Sequence, residues 1–411
     1  MLKKYFNWPL LILILAIIFG LIILFHPLGQ KWWNLLSSAW APAVVWSDIT
    51  DVYADPEQKV KVLLVPGHDN QYSGAVFGDL KEADAVLAIA EPLFDFFNQD
   101  ENFEVEIIRD LTTGEYQEDF EYFLKNKRED VMSFRQKGHI LTQSLFNRGK
   151  ISFEPLGSNS KTSEIAYRLY ATNYWAMEKN FDLVLHIHIN DQARNNLRIP
   201  GTFRGFSIFI PAADYHHHKI SRQLAKSLFA GLQQFLMVSI APGEKRGIIE
   251  SDDLIATGAI GSINIPSVLL EYGYIYESVF RKPEVRELAG REMAWYTYLS
   301  TKASLAGEDP VKSLALSPTA LADYSIGRDL KYGLRDDQAV YLLQRRLQIR
   351  GFYPPAGRSL AECPVNGNFG PCTQAAVIAF QERHRSFVLE PFGLTQGTGV
   401  VGERTRRVLA N

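Results

Sequence analysis

The sequence predicts an α/β chain: a mostly parallel, twisted sheet with helices on both faces, a small all-α C-terminal domain and an N-terminal transmembrane helix. Three observations carry this. Short apolar runs of strand length alternate with helical patterns through the middle of the 411-residue chain, the order that builds a sheet from crossover units. Residues 331–411 hold only short helical patterns separated by Gly-rich turns. An uncharged apolar run lies near the start.

That run, Trp8 to Phe25, covers about 27 Å as a helix, close to a bilayer core of ~30 Å. Lys3 and Lys4 precede it, which orients the N-terminus to the cytoplasm and the bulk of the chain outward. Trp8, Trp32 and Trp33 suit an aromatic belt. The rival reading is a cleaved signal peptide, with an A-x-A match at Ala39 to Ala41. The expected organisation is a cytoplasmic tip and anchor over 1–30, a spacer over 31–58, a main domain over 59–301, a linker over 302–330 and the helical unit over 331–411.

Within the main domain, strands are expected at Val60 to Val65, Phe103 to Ile108, Leu183 to His188, Gly205 to Ile210 and Ile265 to Glu271. Helices are expected from Ala85 to Phe97 and from Ser221 to Phe235. Residues 112–163 are charged and partly amphipathic, with Phe120, Phe123, Leu124, Val131 and Phe134 on one face, and read as an insertion. The run His216-His217-His218 lies in a polar stretch and reads as a solvated loop.

Apolar residues make up 46% and charged residues 22% of the chain, against a long disordered protein. A formal charge of −3 gives no basis for a nucleic-acid partner. The only cysteines are Cys363 and Cys372, so a metal site upstream must use His, Asp or Glu. In an exported chain the pair could bridge; two free thiols are the alternative.

His68, His188 and Glu271 each end an apolar strand, where sites gather in open α/β sheets. Glu82 starts a helix one turn before its apolar stripe. Two His and one Glu with an open position, and a further Glu, match a catalytic zinc site.

These segments resemble the zinc-dependent N-acetylmuramoyl-L-alanine amidases. The matching pieces, in order, are Pro66-Gly67-His68, Glu82, Arg109-Asp110, His186-Ile187-His188-Ile189-Asn190 and Pro266 to Gly273. The resemblance covers roughly residues 60–300. It implies the amidase fold, His68, Glu82 and His188 as Zn2+ ligands, and Glu271 as the acid/base. Glu271 would take a proton from water whose pKa the zinc lowers toward ~7, and pass it to the leaving alanine nitrogen. His186 shares a strand face with His188 and is a candidate ligand or supporting residue. Asn190 and Arg246 are candidates for orienting substrate. The chain departs from the family at His186, at Asp69-Asn70-Gln71 and at Tyr274, which bears on substrate preference.

The C-terminal unit carries Val340 to Leu347, Gly351-Phe352-Tyr353, Val365 to Gly370, Phe380-Gln381 and Gly399 to Gly402. It resembles the peptidoglycan-binding domain of cell-wall hydrolases. The implied partners are peptidoglycan, the membrane through the N-terminal helix, and a regulatory protein. Two other readings stay open. One is a catalytically silent or partner-activated peptidoglycan-binding scaffold. The other is a zinc carboxypeptidase on stem peptides, with Arg204 or Arg246 holding the terminal carboxylate. The charged insertion could regulate access to the site.

Overall fold

The computed structural model describes residues 46–152, 163–259, 263–316 and 320–410. In chain order the elements that frame the site are α1 (Trp46–Ala54), β1 (Val60–Pro66), the hairpin β2 (Val76–Phe77) and β3 (Leu80–Lys81), α2 (Glu82–Ala85), α3 (Leu87–Asn98) and β4 (Phe103–Ile107). Then follow α4 (Glu118–Asn126), α5 (Arg128–Asn147), α6 (Glu164–Glu178), β5 (Leu183–Asn190), β6 (Ser207–Pro211), α7 (His218–Leu232), β7 (Ile248–Ser251), β8 (Ser267–Tyr274), α8 (Ser278–Arg281) and α9 (Pro283–Leu305).

Six strands form one sheet in the order β4-β1-β5-β8-β6-β7. The first four are parallel, β6 runs antiparallel to β8, and β7 is parallel to β6. β1, β5 and β8 are nearly continuous apolar runs because both their faces are covered. Alternation sorts their side chains. Val62, Leu64, Leu185, Ile187, Val268 and Leu270 join the core under α3, α7 and α9. Leu63, Val65 and Val184 join the core on the opposite face.

The insertion builds that opposite layer. Phe120, Phe123 and Val131 are buried with Tyr167, Tyr170 and Trp175 of α6. Its aromatic stripe therefore serves packing, and most of its charged residues are exposed. Residues 153–162 of it lie outside the described residues, as do the apolar run Trp8 to Phe25 and residues 317–319 of the expected linker. Among the described residues no helix is long and apolar enough to cross a membrane.

Two expectations change. The linker is largely structured: α9 continues to Leu305, and a further helix α10 (Pro310–Leu316) packs against α7 and α9. The run 216–218 is not a solvated loop, since His217 and His218 are buried. His217 Nε2 meets the Thr257 carbonyl at 2.9 Å and His218 Nδ1 meets the Pro211 carbonyl at 2.8 Å. These bonds satisfy two rings at the start of α7, where the local polarity of the sequence suggested exposure.

The C-terminal unit contains α11 (Gln338–Ile349), α12 (Pro371–Arg383), α13 (Arg385–Val388) and α14 (Glu403–Ala410). Cys363 and Cys372 are bridged, with Cα atoms 5.8 Å apart. Gln344 shapes the turn between them: its Oε1 accepts from the amides of Asn366 and Gly367, both at 2.9 Å. The unit shares one continuous core with the α/β domain. At the seam, Arg345 Nε pairs with Glu292 Oε2 at 2.7 Å, and Tyr341 donates to the same carboxylate at 2.8 Å. Glu292 and Arg345 are 1% and 3% exposed, so this ion pair is a buried, fully partnered contact.

Candidate active site

The parallel pairing of β1, β5 and β8 brings three strand ends to one edge of the sheet. Pro66 is level with Ile187, and His188 is level with Glu271. After β1 the chain turns sharply, and His68 adopts a left-handed φ of 64°. Such a backbone costs a non-glycine residue about 1–3 kcal/mol and gathers at functional sites. Glu82 opens α2 after the β2–β3 hairpin and is 3% exposed.

Glu82 organises the cluster. Its Oε1 lies 2.9 Å from His188 Nδ1 and accepts from the Ile189 amide at 3.1 Å. Its Oε2 lies 3.2 Å from His68 Nε2 and accepts from the Ala75 amide at 2.8 Å. The ligand atoms of His68, Glu82 and His188 all fall within 4.8 Å of one another. Tetrahedral zinc holds its ligand atoms roughly 3.3–3.6 Å apart at bonds of ~2.0–2.2 Å. Small side-chain adjustments would close this group on a cation.

The backbone is cut away to fit. A Cβ on Gly67 would stand 2.3 Å from the His188 ring. One on Gly74, whose φ is +70°, would stand 2.4 Å from both Glu82 Oε2 and the His68 ring. The two glycines leave room for the cluster and for nothing larger than hydrogen.

Charge is unbalanced here. Burial opposes ionisation of Glu82, but the hydrogen bonds and charges of His188 and His68 outweigh it and hold its carboxyl far below the usual range. Burial also opposes the charged form of His68, while Glu82, with Asp69 assisting, raises its pKa. Glu271 lies on the His186–His188 side of the sheet. Burial, with the Glu82 and Glu244 carboxylates adding, pushes it well above the carboxylate range. Its Oε2 is buried with no hydrogen-bond partner, and no Lys or Arg pairs with Glu82, Glu244 or Glu271 among the described residues. A buried carboxylate without a partner is costly. A cation at the His68–Glu82–His188 group would relieve that cost, and a His2Glu donor set suits zinc.

The other expected residues divide. Asn190 Nδ2 donates to Glu244 Oε1 at 3.2 Å, at the rim of the site. Arg246 is exposed in the loop beyond Glu244. His186 is 1% exposed and lies outside the metal group. Burial and then His188 lower its pKa to about 3, which the Ala256 carbonyl, off hydrogen-bond geometry, only partly offsets. It is a neutral, packed ring.

Three further residues serve the site. Glu244 accepts from Ser239 at 2.7 Å and from Ser207 and Tyr274 at 3.1 Å, which fixes a second carboxylate near Glu271. Arg109 is fully buried and donates to the carbonyls of Ala83 at 2.7 Å, Gly114 at 2.7 Å and Gly67 at 3.4 Å. It thus ties the His68 turn, the Glu82 helix and the root of the insertion together. Asp69 holds the following loop: it accepts from the Gln71 and Tyr72 amides and from Tyr116, and pairs with Arg168 of α6. Of these, Arg109 had a sequence signal in the Arg-Asp turn and Asp69 in the departure at Asp69-Asn70-Gln71, whereas Glu244 sits in a loop with no periodicity to mark it.

Residues 62–282, more than half of the chain, match the N-acetylmuramoyl-L-alanine amidase family. The chain belongs to that family and is a peptidoglycan amidase. Residues 336–409 match a peptidoglycan-binding domain family. No curated protein matches the chain. Among solved structures, the CwlD amidase of Clostridioides difficile in complex with the GerS lipoprotein is 18% identical, with a TM-score of 0.39, over 61% of this chain and 100% of that one. The catalytic domain of CwlV from Bacillus (Paenibacillus) polymyxa var. colistinus is 16% identical, with a TM-score of 0.36, over 60% and 98%. AmiC2 of Nostoc punctiforme is 17% identical, with a TM-score of 0.36, over 60% and 97%. These overall likenesses are low, and membership rests on the family match.

Proposed function

We propose that the chain cuts the amide between N-acetylmuramic acid and L-alanine with a zinc ion held by His68, Glu82 and His188, and with Glu271 as acid/base. The observation that carries this reading is the His-Glu-His group beside half-buried Glu271, whose Oε2 is enclosed without a hydrogen-bond partner. Zinc, when bound, supplies a Lewis acid and an activated water. Glu82, held by the Ile189 and Ala75 amides, fixes both imidazoles in place. Glu271, beside the His68–Glu82–His188 group, takes a proton and returns it to the departing nitrogen. Glu244 and Asn190 line the adjoining wall and orient the substrate.

Residues 59–301 form the catalytic part and 331–411 the polymer-binding part, acting outside the cytoplasm. The segment Trp8 to Phe25 anchors the chain in a single pass. Control of access to the site by the insertion, and a regulatory protein partner, belong to the same reading.

Metal stoichiometry tests the ligand assignment. Wild type is expected to hold one zinc per chain by plasma mass spectrometry, and His188→Ala well under half of that, with hydrolysis lost on chelation and restored by zinc. Full zinc content in both His188→Ala and His68→Ala would sink the assignment.

A further inference from the structure

A pocket lies at the seam between the α/β domain and the C-terminal unit. Its volume is about 220 Å³, room for roughly seven waters at ~30 Å³ each, or for one amino-acid residue with its carboxylate. One wall comes from the segment before β6 and the segment after β8, including Phe203, Arg204, Tyr276 and Arg281. The facing wall comes from the C-terminal unit, with Leu360 and, from the disulfide-stapled loop, Asn366. The seam is held shut by the buried Glu292–Arg345 pair and by Asn368 Nδ2 donating to Ser278 at 3.0 Å.

The charge on this pocket is specific. Arg204 and Arg281 are exposed at its walls. Arg281 donates through Nε to the Tyr276 carbonyl at 3.0 Å, and no carboxylate pairs with either guanidinium among the described residues. The one acid in the wall, Glu277, is turned to the backbone: its Oε1 accepts from the amides of Gly205 at 2.9 Å and Tyr274 at 2.8 Å. Arg281 also lies over the Phe77 ring at 5.4 Å, and both arginines, at a pocket of mixed polar and apolar lining, keep terminal guanidinium donors that no carboxylate takes up among the described residues, groups suited to a carboxylate.

We propose that this pocket is a composite subsite for a free carboxylate of the peptidoglycan stem peptide, gripped by Arg204 and Arg281 and completed by the C-terminal unit. The proposal rests on the amidase reading for its choice of ligand. Reach supports it. Glu271 and Tyr276 are five positions apart on one strand and its exit, at most about 17 Å of extended chain. A stem peptide with its first amide at Glu271 covers that span by its fourth or fifth residue. Cutting would then be favoured where a stem still carries a free carboxylate at that distance, and the C-terminal unit would help read the peptide as well as hold the polymer.

The test is calorimetric titration of the full chain with synthetic L-Ala-γ-D-Glu-meso-diaminopimelyl-D-Ala and with its fully amidated form. Arg204→Gln, Arg281→Gln and the cavity-filling Leu360→Trp are compared with Arg148→Gln, an exposed arginine away from the seam. The peptide is expected to bind wild type and Arg148→Gln alike, and at least about tenfold more weakly to the other three, since each loses a charge-assisted contact or the space itself. The amidated peptide should bind all forms at the weakened level. Equal binding of the amidated peptide, equal binding by all variants, or no binding to wild type would overturn the proposal. Because the peptide is already cleaved, the titration is independent of catalysis. Arginine-dependent binding by a protein inactive on peptidoglycan would remove the amidase reading and leave the subsite; activity without arginine dependence would do the reverse.

Discussion

At the scale of single residues, the site depends on groups that hold other groups. Arg109 is fully buried, and its guanidinium joins the carbonyls of Gly67 and Ala83, each the neighbour of a metal-group residue. Supporting residues of this kind typically alter metal affinity by 10–100-fold. Arg109→Gln is expected to weaken zinc binding in a chelator competition by about that factor, and Arg109→Lys, which keeps the charge but not the fork, by less. Unchanged affinity in a folded Arg109→Gln would show that the three carbonyls hold their places without it. The metal-group residues and Glu271 were legible in the sequence because each ends an apolar strand or begins a helix, and strand ends share an edge once the strands are parallel. Glu244 was not legible: it reaches the site from a loop whose course is set by Ser207, Ser239 and Tyr274, three partners distant from one another in sequence. Arg246, a candidate for orienting substrate, lies exposed in that same loop.

Among the elements, the start of α7 was the hardest to read, whereas the packing face of the insertion was legible from its apolar spacing. Local polarity reports the average surroundings of a segment, while burial is decided residue by residue. The charged stretch around α4 and α5 carries Phe120, Phe123 and Val131 into a core with α6. The His216–His218 run places two rings inside. His217 has a pH consequence. Burial lowers its pKa from 6.5 to about 4. The unfolded chain therefore takes up a proton below pH ~6.5 that the folded chain refuses until pH ~4, so stability falls as pH drops through that window and is unaffected above it. Denaturant titrations of wild type and His217→Gln should show a shallower loss between pH 6.5 and 4 in the variant. Parallel pH profiles would mean that His217 is protonated or exposed in the folded chain.

For the whole molecule, the main departure from the sequence reading is that the C-terminal unit is docked. Composition suggested a linker and a separate module, since Pro310 and Pro318 punctuate a weakly patterned stretch. The structure instead runs one core across the seam and buries Glu292 against Arg345. Removing one member of a buried pair typically costs 3–5 kcal/mol because the other is left charged and unpaired. Glu292→Gln is expected to lower unfolding stability by about that much and to expose the 306–335 region to protease, whereas a change below ~1 kcal/mol would argue for a loosely tethered domain. A fixed module gives the catalytic cleft a set orientation to the bound polymer, which a flexible tether does not.

The most direct test of the account is digestion of purified peptidoglycan by the full chain, by Glu271→Ala and by the chelated wild type, with products identified by mass spectrometry. The account predicts intact stem peptides with free L-alanine amines from wild type, a fall of about 10²–10⁴-fold in rate for Glu271→Ala with zinc still bound, and no release after chelation. Release of a terminal amino acid in place of whole stems, or undiminished hydrolysis by Glu271→Ala, would contradict it.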